Sequence, residues 1–379
     1  MSAVQAELVP FRALRTDDFS HSDELLLPWS TSKGAGRERP ASEAAAHLAE
    51  ISKDLGGGGL VATCYAPQVF RRLRGLFGVE AESFLECTRP ENLIKQLFIG
   101  DPAGWTATVT EGKSGSVFWQ SPESNLLVKS VPRSELRTLL SMLPDYCQHM
   151  ENERGSLLCK FVGCFTLRFL ASLPGLGSDS HVDFVVMLNA LPADLPMHSR
   201  FDLKGSTVGR TAHAEGAAPA DVVRKDLDLP ETGGVFCIPA AARRTLLLLV
   251  EADSLFLERH GVMDYSLLVG VHEISSHGWD EAPAGTVKSS CGTRLYCFGI
   301  IDVLSAFDMT RRLESFVKGL KHNKRELSCV NPEDYGSRFR NRIANLLTSR
   351  ESAEHSEKAQ RRRALSLCED SEFVVLDTP

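Results

Sequence analysis

The segment Arg200-Phe-Asp-Leu-Lys-Gly-Ser-Thr-Val-Gly-Arg210 brings together side chains that suit phosphate binding. It holds a carboxylate, an amine, a glycine, two hydroxyls and a closing guanidinium, and the apolar run Val182–Leu188 precedes it. An amine and the backbone N–H groups beside a glycine can bind phosphate oxygens. The same residue types are common in solvated turns, so the interpretation depends on the segments on either side.

The composition restricts the class of protein. A length of 379 residues is enough for two lobes or domains. The chain is 43% hydrophobic and 24% charged, which is ordinary for a globular protein. Its net charge of -7 argues against a general nucleic-acid binder, whose surface would be basic. We therefore expect no nucleic-acid partner.

The cysteines and the apolar runs indicate a reduced chain without a membrane span. The ten cysteines include no Cys-x-x-Cys pair, which is typical of a reduced intracellular protein and not of a disulfide framework or a zinc site. No secretory signal is expected, no apolar run approaches the roughly 20 residues that span a bilayer, and Ser2 excludes N-myristoylation. Any membrane contact is expected to be peripheral.

Hydrophobic periodicity predicts a chain of mixed helices and strands. Residues 1–58 end in four glycines and predict at most one short helix, at Ala44–Leu55. Apolar residues at helical spacing predict helices in Tyr65–Phe77, Glu135–Met150 and Arg243–His260. Strands are predicted at Leu126–Ser130, Phe161–Leu170, Val182–Leu188, Asp221–Asp228, Leu267–Val271 and Tyr296–Asp302. The proline-containing segment Leu191–Pro196 predicts a hinge between lobes.

The glycine-rich turn Gly112-Lys113-Ser114-Gly115-Ser116 suggests nucleotide binding, because glycines let backbone N–H groups approach phosphate oxygens. It is not a Walker A loop, since Ala107 stands where that motif needs a glycine and the turn opens a strand instead of a helix. A glycine turn before a strand is typical of the flap that covers ATP in protein kinases. A plain hairpin explains the same residues about as well.

Lys129 lies at the end of the strand that follows this turn. In kinases a lysine at such a position neutralises the α- and β-phosphates, and a glutamate on the next helix, here Glu135, holds it as an ion-pair partner. The alternative is a surface lysine at the end of a strand.

Two aspartates are further candidates for a site that handles phosphate. Asp264 is predicted in a tight turn, where a carboxylate can orient a substrate hydroxyl and accept its proton. Asp302 ends an apolar strand and needs a cation, for which Mg²⁺ bound to nucleotide phosphates is suited. A structural cap or ion pair is the alternative for each. A protein kinase is disfavoured, because Val269 replaces the Mg²⁺-binding asparagine and Val303, not Phe-Gly, follows Asp302.

The segment 311–342 is locally basic, with nine Lys or Arg residues against four Asp or Glu. An anionic membrane surface attracts such a segment by ~1 kcal/mol for each well-placed Lys or Arg. A solvated amphipathic helix and loop is the alternative.

Together these motifs resemble the phosphatidylinositol phosphate kinases, over roughly Tyr65 to Leu347. The most specific parts of the resemblance are Phe201-Asp-Leu-Lys-Gly-Ser-Thr207, Met263-Asp-Tyr-Ser-Leu-Leu268, Gly299-Ile-Ile-Asp-Val303 and Asn331-Pro-Glu-Asp-Tyr-Gly-Ser-Arg-Phe339, with Gly112–Ser116 and Lys225-Asp-Leu-Asp228 agreeing as well.

The resemblance implies an α+β, two-lobed phosphatidylinositol phosphate kinase fold, similar to SAICAR synthase and distantly to protein kinases. Antiparallel sheets would lie in both lobes, with an ATP cleft between them and a flat basic face against the membrane. The implied divisions are a variable, partly disordered N-terminal head (1–58), a kinase N-lobe (59–190), a kinase C-lobe (191–348) with an activation loop at about 303–331, and a flexible C-terminal tail (349–379).

The resemblance also implies roles for the candidate residues. Gly112–Ser116 and Lys129 would bind ATP, and Glu135 would support Lys129. In catalysis, Lys204 would reach the transferred phosphate, Asp264 would act on the inositol hydroxyl and Asp302 would hold Mg²⁺. Independently of the resemblance, the position of Asp202 beside Lys204 suggests that it fixes the turn that directs this lysine. ATP and Mg²⁺ are thus the expected cofactors.

The expected substrate is phosphatidylinositol 4-phosphate in an anionic membrane surface. Glu314 stands where relatives that phosphorylate the 5-position carry Glu, which favours a 1-phosphatidylinositol-4-phosphate 5-kinase, and the residues expected against the membrane are Lys318, Lys321, Lys324 and Arg325. Val330–Tyr335 looks more like the end of the loop in the 4-kinases. A phosphatidylinositol-5-phosphate 4-kinase and a phosphoinositide-binding pseudokinase without turnover therefore stay as alternatives.

The expected location is cytoplasmic, with peripheral association to the plasma membrane or another anionic membrane. The sequence leaves the oligomeric state open, with a homodimer as one alternative.

Overall fold

The computed structural model describes eleven parts of the chain: residues 13–28, 59–88, 106–108, 118–120, 125–169, 181–206, 222–229, 235–274, 283, 285–306 and 331–349. The chain divides into two compact units, one of residues 1–194 with 302–306 and one of residues 195–301 with 307–379. The first division falls within the expected hinge Leu191–Pro196. The expected domain limits and the hinge itself stay predictions.

In its described residues the first unit contains seven strands and four helices. The strands are β1 (Ser22–Pro28), β2 (Gly59–Tyr65), β3 (Thr106–Thr108), β4 (Phe118–Gln120), β5 (Leu126–Val131), β6 (Phe161–Phe169) and β7 (His181–Leu188). The helices are α1 (Thr16–Ser20), α2 (Pro67–Phe77), α3 (Ala81–Cys87) and α4 (Arg133–Asn152). The predicted helices in Tyr65–Phe77 and Glu135–Met150 are thereby confirmed.

The strands of the first unit form one antiparallel sheet in the order β1-β2-β6-β7-β5-β4-β3. The predicted strands at residues 161–170 and 182–188 are confirmed. β4 pairs with β5 in an antiparallel arrangement, as a hairpin of these two strands requires. The strand β1, however, differs from the prediction for residues 1–58, which expected a variable head with at most one short helix. Ser22 pairs with Tyr65 and Pro28 with Gly59, so β1 extends the sheet at its edge.

Helices α2 and α4 bury their apolar faces as the helical spacing requires. In α2 the residues Val69, Phe70 and Leu73 are buried, and Pro67 occupies the first turn, where a missing N–H leaves no bond unmade. A further apolar cluster on the sheet, which includes Val128 of β5 and Phe184 of β7, packs against Phe84 and Cys87 of α3. This packing fixes the sheet on which Lys129 lies.

A buried polar network ties the first residue of α4 to three strands. The Arg133 guanidinium lies 3.1 Å (Nε to Oδ2) from Asp183 of β7 and donates hydrogen bonds to Tyr65 and Thr166. The Thr166 hydroxyl donates to Asp183 at 2.6 Å. Since the Asp183 side chain is only 2% exposed, its charge depends on these partners. The network therefore fixes where α4 begins.

Replacing Asp183 with Ala should destabilise the protein by about 3 kcal/mol, because Arg133 and Thr166 then lose a buried charged acceptor. Urea unfolding followed by circular dichroism would measure the change. The exposed Asp194 provides the control, and Asp194→Ala should change the free energy of unfolding by less than about 0.5 kcal/mol. A loss below about 1 kcal/mol for Asp183→Ala would mean that the network does not hold α4.

In its described residues the second unit contains seven further strands and two long helices. The strands are β8 (Ser199–Leu203), β9 (Val223–Arg224), β10 (Phe236–Cys237), β11 (Ser266–Glu273), β12 (Thr286–Lys288), β13 (Arg294–Ile301) and β14 (Leu347–Thr348). The helices are α5 (Ala240–Arg259) and α6 (Pro332–Leu346), and Asp226–Asp228 form one 3₁₀ turn. The strand predicted at residues 221–228 is thus shorter than expected, because a helical turn follows its second residue.

The main sheet of the second unit has the strand order β12-β13-β11-β8-β9. Its pairs are antiparallel except for β8 with β9, which is parallel. The short pair of β10 with β14 is also parallel, so this unit adds two short parallel pairs to the expected antiparallel sheet. The register aligns Leu203 of β8 with Leu267 of β11. The residue after β8 and the residues before β11 therefore lie at the same end of this strand pair.

Helix α6 begins where the sequence carries a helix-starting pattern. The Asn331 side chain accepts a hydrogen bond from the Asp334 N–H at 2.8 Å, Pro332 is the first helical residue, and acidic residues fill the first turn. Behind them, the Tyr335 and Phe339 rings pack edge-on against the Tyr265 ring. Helix α6 is thus packed directly behind the turn that carries Asp264.

The eight cysteines of the described residues are all free thiols, as expected for a chain without a disulfide framework. Within those residues no helix is long and apolar enough to cross a membrane. The predicted helix Ala44–Leu55 and the tail 349–379, apart from Ser349, lie outside the described part of the chain.

Candidate active site

The first unit brings three of the predicted residues together. Lys129 lies in β5, two residues before the end of the strand. Its amine lies 3.9 Å from Glu135 Oε2 and 3.5 Å from Asp302 Oδ1. The lysine side chain is 11% exposed and the Asp302 side chain 44% exposed. The amine is therefore largely withdrawn from water, while the aspartate keeps an accessible face.

The contact between Lys129 and Glu135 follows from a very short connection. After β5 the chain turns at Pro132, whose backbone is extended, and α4 starts at the next residue. Glu135 then falls in the first helical turn, where its N–H donates to the Pro132 carbonyl at 2.9 Å. A carboxylate in this turn is stabilised by the helix dipole. The Asp183 network described above holds the same turn in place.

Asp302 follows β13 directly and has an unusual backbone conformation. Its φ angle is +60°, in the left-handed region that residues other than glycine rarely adopt. The nearby Cys159 is buried, and burial raises the pKa of its thiol to about 12, with the Asp302 charge contributing in the same direction. The thiol is therefore neutral at pH 7. The negative charge near Lys129 comes from the two carboxylates.

The second unit brings together Lys204 and Asp264. The Lys204 amine lies 3.1 Å from Asp264 Oδ1 and also donates to the backbone carbonyl of the same aspartate. Lys204 directly follows β8 and Asp264 precedes β11, so the strand pairing places both at one sheet end. The side chains are 12% and 34% exposed, respectively. Asp264, like Asp302, has a left-handed backbone, with φ of +67°.

The turn that carries Lys204 is held by Asp226, while the expected part of Asp202 in this turn stays a prediction. The Asp226 carboxylate accepts hydrogen bonds from the backbone N–H groups of Lys204, at 3.1 Å, and Gly205, at 2.8 Å. Asp202 lies within β8, opposite Leu268 of β11. The motif Lys225-Asp-Leu-Asp228 belongs to the family resemblance, which indicated that it matters. Nothing in the sequence, however, connects its Asp226 to a turn some twenty residues earlier.

Two of the basic residues counted in segment 311–342 have partners inside the second unit. Arg340 Nη1 lies 3.1 Å from Glu258 Oε2, and Arg342 donates to the backbone carbonyl of Asp226. Arg338 stacks over the Tyr335 ring. The local positive charge available to an anionic surface is therefore smaller than the sequence count.

Several predicted residues lie outside the described parts of the chain. They are Gly112, Lys113, Ser114, Gly115 and Ser116 of the glycine turn, and Glu314, Lys318, Lys321, Lys324 and Arg325 of the expected activation loop. Their roles stay predictions.

The family model for phosphatidylinositol-4-phosphate 5-kinase matches residues 101–291 and 279–346, which together cover more than half of the chain. The matched residues include Lys129, Glu135 and Asp302 as well as Lys204 and Asp264. The chain belongs to the phosphatidylinositol-4-phosphate 5-kinase family.

Curated relatives of this chain include proteins of Plasmodium falciparum and Arabidopsis thaliana. The phosphatidylinositol 4-phosphate 5-kinase of Plasmodium falciparum (isolate 3D7) is 27% identical over 310 residues, which cover 74% of this chain and 18% of that protein. In Arabidopsis thaliana, phosphatidylinositol 4-phosphate 5-kinase 3 is 29% identical over 334 residues, covering 74% and 44%. Phosphatidylinositol 4-phosphate 5-kinase 9 is 37% identical over 208 residues, covering 55% and 23%. The chain spans less than half the length of these relatives.

The left-handed backbone conformation of Asp302 can be tested by measuring the free energy of unfolding of two variants. Asp302→Gly and Asp302→Ala both remove the carboxylate and differ only in the methyl group. Glycine normally lowers stability relative to alanine by about 0.5–1 kcal/mol, but at φ +60° the order should reverse, with glycine about 1 kcal/mol more stable. Urea unfolding of the two variants measures the difference. An alanine variant as stable as the glycine variant would contradict the left-handed conformation.

Proposed function

We propose that this chain is a lipid kinase that transfers the γ-phosphate of ATP to the 5-hydroxyl of phosphatidylinositol 4-phosphate, which gives phosphatidylinositol 4,5-bisphosphate. Its family membership supports this proposal, since a kinase of this family uses ATP and a phosphatidylinositol phosphate. The observation that carries the proposal is the direct contact of Lys204 with Asp264 at the end of paired strands. An amine and a carboxylate in contact are the groups that phosphoryl transfer to a hydroxyl requires.

In this proposal Lys129 binds phosphate oxygens of ATP, and Glu135 holds its amine in place. The half-exposed Asp302 carboxylate fits Mg²⁺, which proteins commonly bind through one or two carboxylates together with substrate phosphates. When bound, Mg²⁺ would supply positive charge to neutralise the phosphates. The 3.5 Å distance between Asp302 and Lys129 supports this role, since both side chains could then face the same phosphate chain.

Lys204 and Asp264 act on the transferred group and its acceptor. Asp264 orients the inositol hydroxyl and accepts its proton on a carboxylate oxygen. The hydroxyl oxygen forms its bond to the γ-phosphorus as the bond from that phosphorus to ADP breaks, and ADP leaves. The Lys204 ammonium faces the negative charge that spreads over the transferred phosphoryl oxygens. Because the amine is already held by the Asp264 carbonyl and carboxylate, little reorganisation is needed for it to act.

The proposal includes the two-lobed kinase fold with an ATP cleft and peripheral binding to an anionic membrane from the cytoplasm, with the plasma membrane as one candidate. Lys318, Lys321, Lys324 and Arg325 would contribute the membrane contacts, at ~1 kcal/mol for each well-placed residue. Arg340 and Arg342 would not, since each lies against an acidic residue of its own unit.

Purified protein should convert phosphatidylinositol 4-phosphate in vesicles to the 4,5-bisphosphate with ATP and Mg²⁺. The experiment compares the 3-, 4- and 5-monophosphate lipids and identifies each product by headgroup chromatography. Lys204→Met and Asp302→Asn should each lower kcat at least about 100-fold, because the first removes the ammonium that faces the phosphoryl group and the second removes a carboxylate proposed to hold Mg²⁺. The exposed Asp194 provides a control, and Asp194→Ala should keep full activity.

The alternatives give different outcomes in this assay. Turnover of the 5-monophosphate to the same bisphosphate would favour a 4-kinase, which the 4-kinase-like segment Val330–Tyr335 supports. If the parent protein and both variants bound vesicles but none of them turned over any lipid, the kinase proposal would be overturned. A phosphoinositide-binding pseudokinase would then be favoured.

Glu314→Ala should change the choice of lipid without removing turnover. Under the proposal, Glu314 favours the 4-phosphate substrate, so the ratio of kcat/KM for the 4- and 5-monophosphates should fall several-fold. The neighbouring substitution Ser315→Ala is the control and should leave the ratio unchanged. An unchanged ratio in Glu314→Ala would mean that the lipid is selected by other residues.

A further inference from the structure

The carboxylate of Asp226 is buried beside the candidate active site, yet the proposed mechanism gives it no chemical role. Its side chain is 2% exposed. Its two oxygens accept hydrogen bonds from consecutive backbone N–H groups, those of Lys204 at 3.1 Å and Gly205 at 2.8 Å. Bonds to an ionised acceptor are roughly twice as strong as neutral ones. The carboxylate therefore fixes the backbone from which the Lys204 side chain leaves.

The turn needs such a partner because it departs from the strand at this point. β8 ends at Leu203, and Gly205 has a left-handed backbone with φ of +71°. Two successive N–H groups then point toward one anion, as in the anion-binding turns of other proteins. Without the carboxylate, both groups would lose a strong acceptor in a largely buried position.

Helix α6 holds Asp226 and the turn from behind. Arg342 donates from Nη2 to the backbone carbonyl of Asp226 at 3.1 Å, and its Nε lies 3.9 Å from Asp226 Oδ1. A Cβ atom at Gly205 would come within 3.1 Å of both the Arg338 carbonyl oxygen and the Arg342 Cβ. The turn is thus pressed against α6, which leaves its backbone little freedom to shift.

We infer that Asp226, held by Arg342, is a positioning residue that directs the Lys204 amine to Asp264. This inference rests on the proposed function, since it assigns Lys204 a part in phosphoryl transfer. Asp226 acts on the amine through the backbone of Lys204 and Gly205, and its loss leaves the amine present but less well directed. The consequence should therefore appear in the chemical step and not in ATP binding.

Asp226→Asn is the main test, because the amide keeps the shape and removes the charge. It should lower kcat about 30-fold and change the KM for ATP by less than about twofold. Arg342→Gln should act in the same direction with a smaller effect, about fivefold. A structural defect alone would lower the amount of folded enzyme and leave the kcat of the folded fraction unchanged.

Arg340→Gln provides the matched control. Arg340 lies on the same helix and binds Glu258 and Ser254 of α5 instead of Asp226. Its replacement should lower the thermal midpoint at least as much as Arg342→Gln does, and kcat should stay within about twofold of the parent. If both arginine variants lost kcat equally, the effect would come from the packing of α6 and the inference would be wrong.

A second measurement separates this inference from the proposed function. Lys204 in the parent protein should react slowly with acetic anhydride, because its amine is held by Asp264. In Asp226→Asn the acetylation rate of Lys204, followed by peptide mass spectrometry, should rise about fivefold or more, while that of Lys129 stays constant. If the parent proved inactive on every lipid, the proposed function would fail, but this increase would still support the positioning role. An unchanged rate would overturn it.

Discussion

A charged amine that is largely withdrawn from water needs a carboxylate within contact distance, and this requirement shapes the local structure around Lys129 and Lys204. Burial of an unpaired ion costs several kcal/mol, and breaking a buried pair leaves that cost uncompensated. Lys129 lies within β5, two residues before its end, and Lys204 directly follows β8, while their acidic partners lie at the start of a helix or directly before or after a strand. The ends of strands are therefore where the fold places its charges.

Each lysine is held by a different layer of support. For Lys129 the support comes through a helix: Asp183 and Thr166 fix Arg133, the start of α4 follows, and Glu135 in its first turn then meets the amine. For Lys204 the support comes through the backbone, since Asp226 binds the N–H groups of the turn itself. In both cases a buried carboxylate that does not touch the amine determines where the amine points.

The sequence predicted the elements that carry these residues better than the contacts that orient them. Apolar spacing was sufficient for α2, α4, α5 and the long strands, because each has one buried face. It missed β1, whose residues Ser22–Pro28 follow no clear alternation and gain their place only by pairing with β2. It also gave no sign that Asp226 binds the N–H groups of the Lys204 turn, because that contact depends on the 3₁₀ turn after β9, which is distant in sequence.

The two lysine–carboxylate contacts share an asymmetry that bears on their use. In each, the lysine is nearly buried while the aspartate is about one-third to one-half exposed and has a left-handed backbone. A left-handed aspartate is less favourable than glycine, so the conformation persists only where the surrounding structure holds it. The protein thus fixes the cation from its own side and leaves the carboxylate open to solvent. In a phosphoryl-transfer site, that is the side from which a metal ion or a substrate hydroxyl has to arrive, because the amine has already been oriented by the fold.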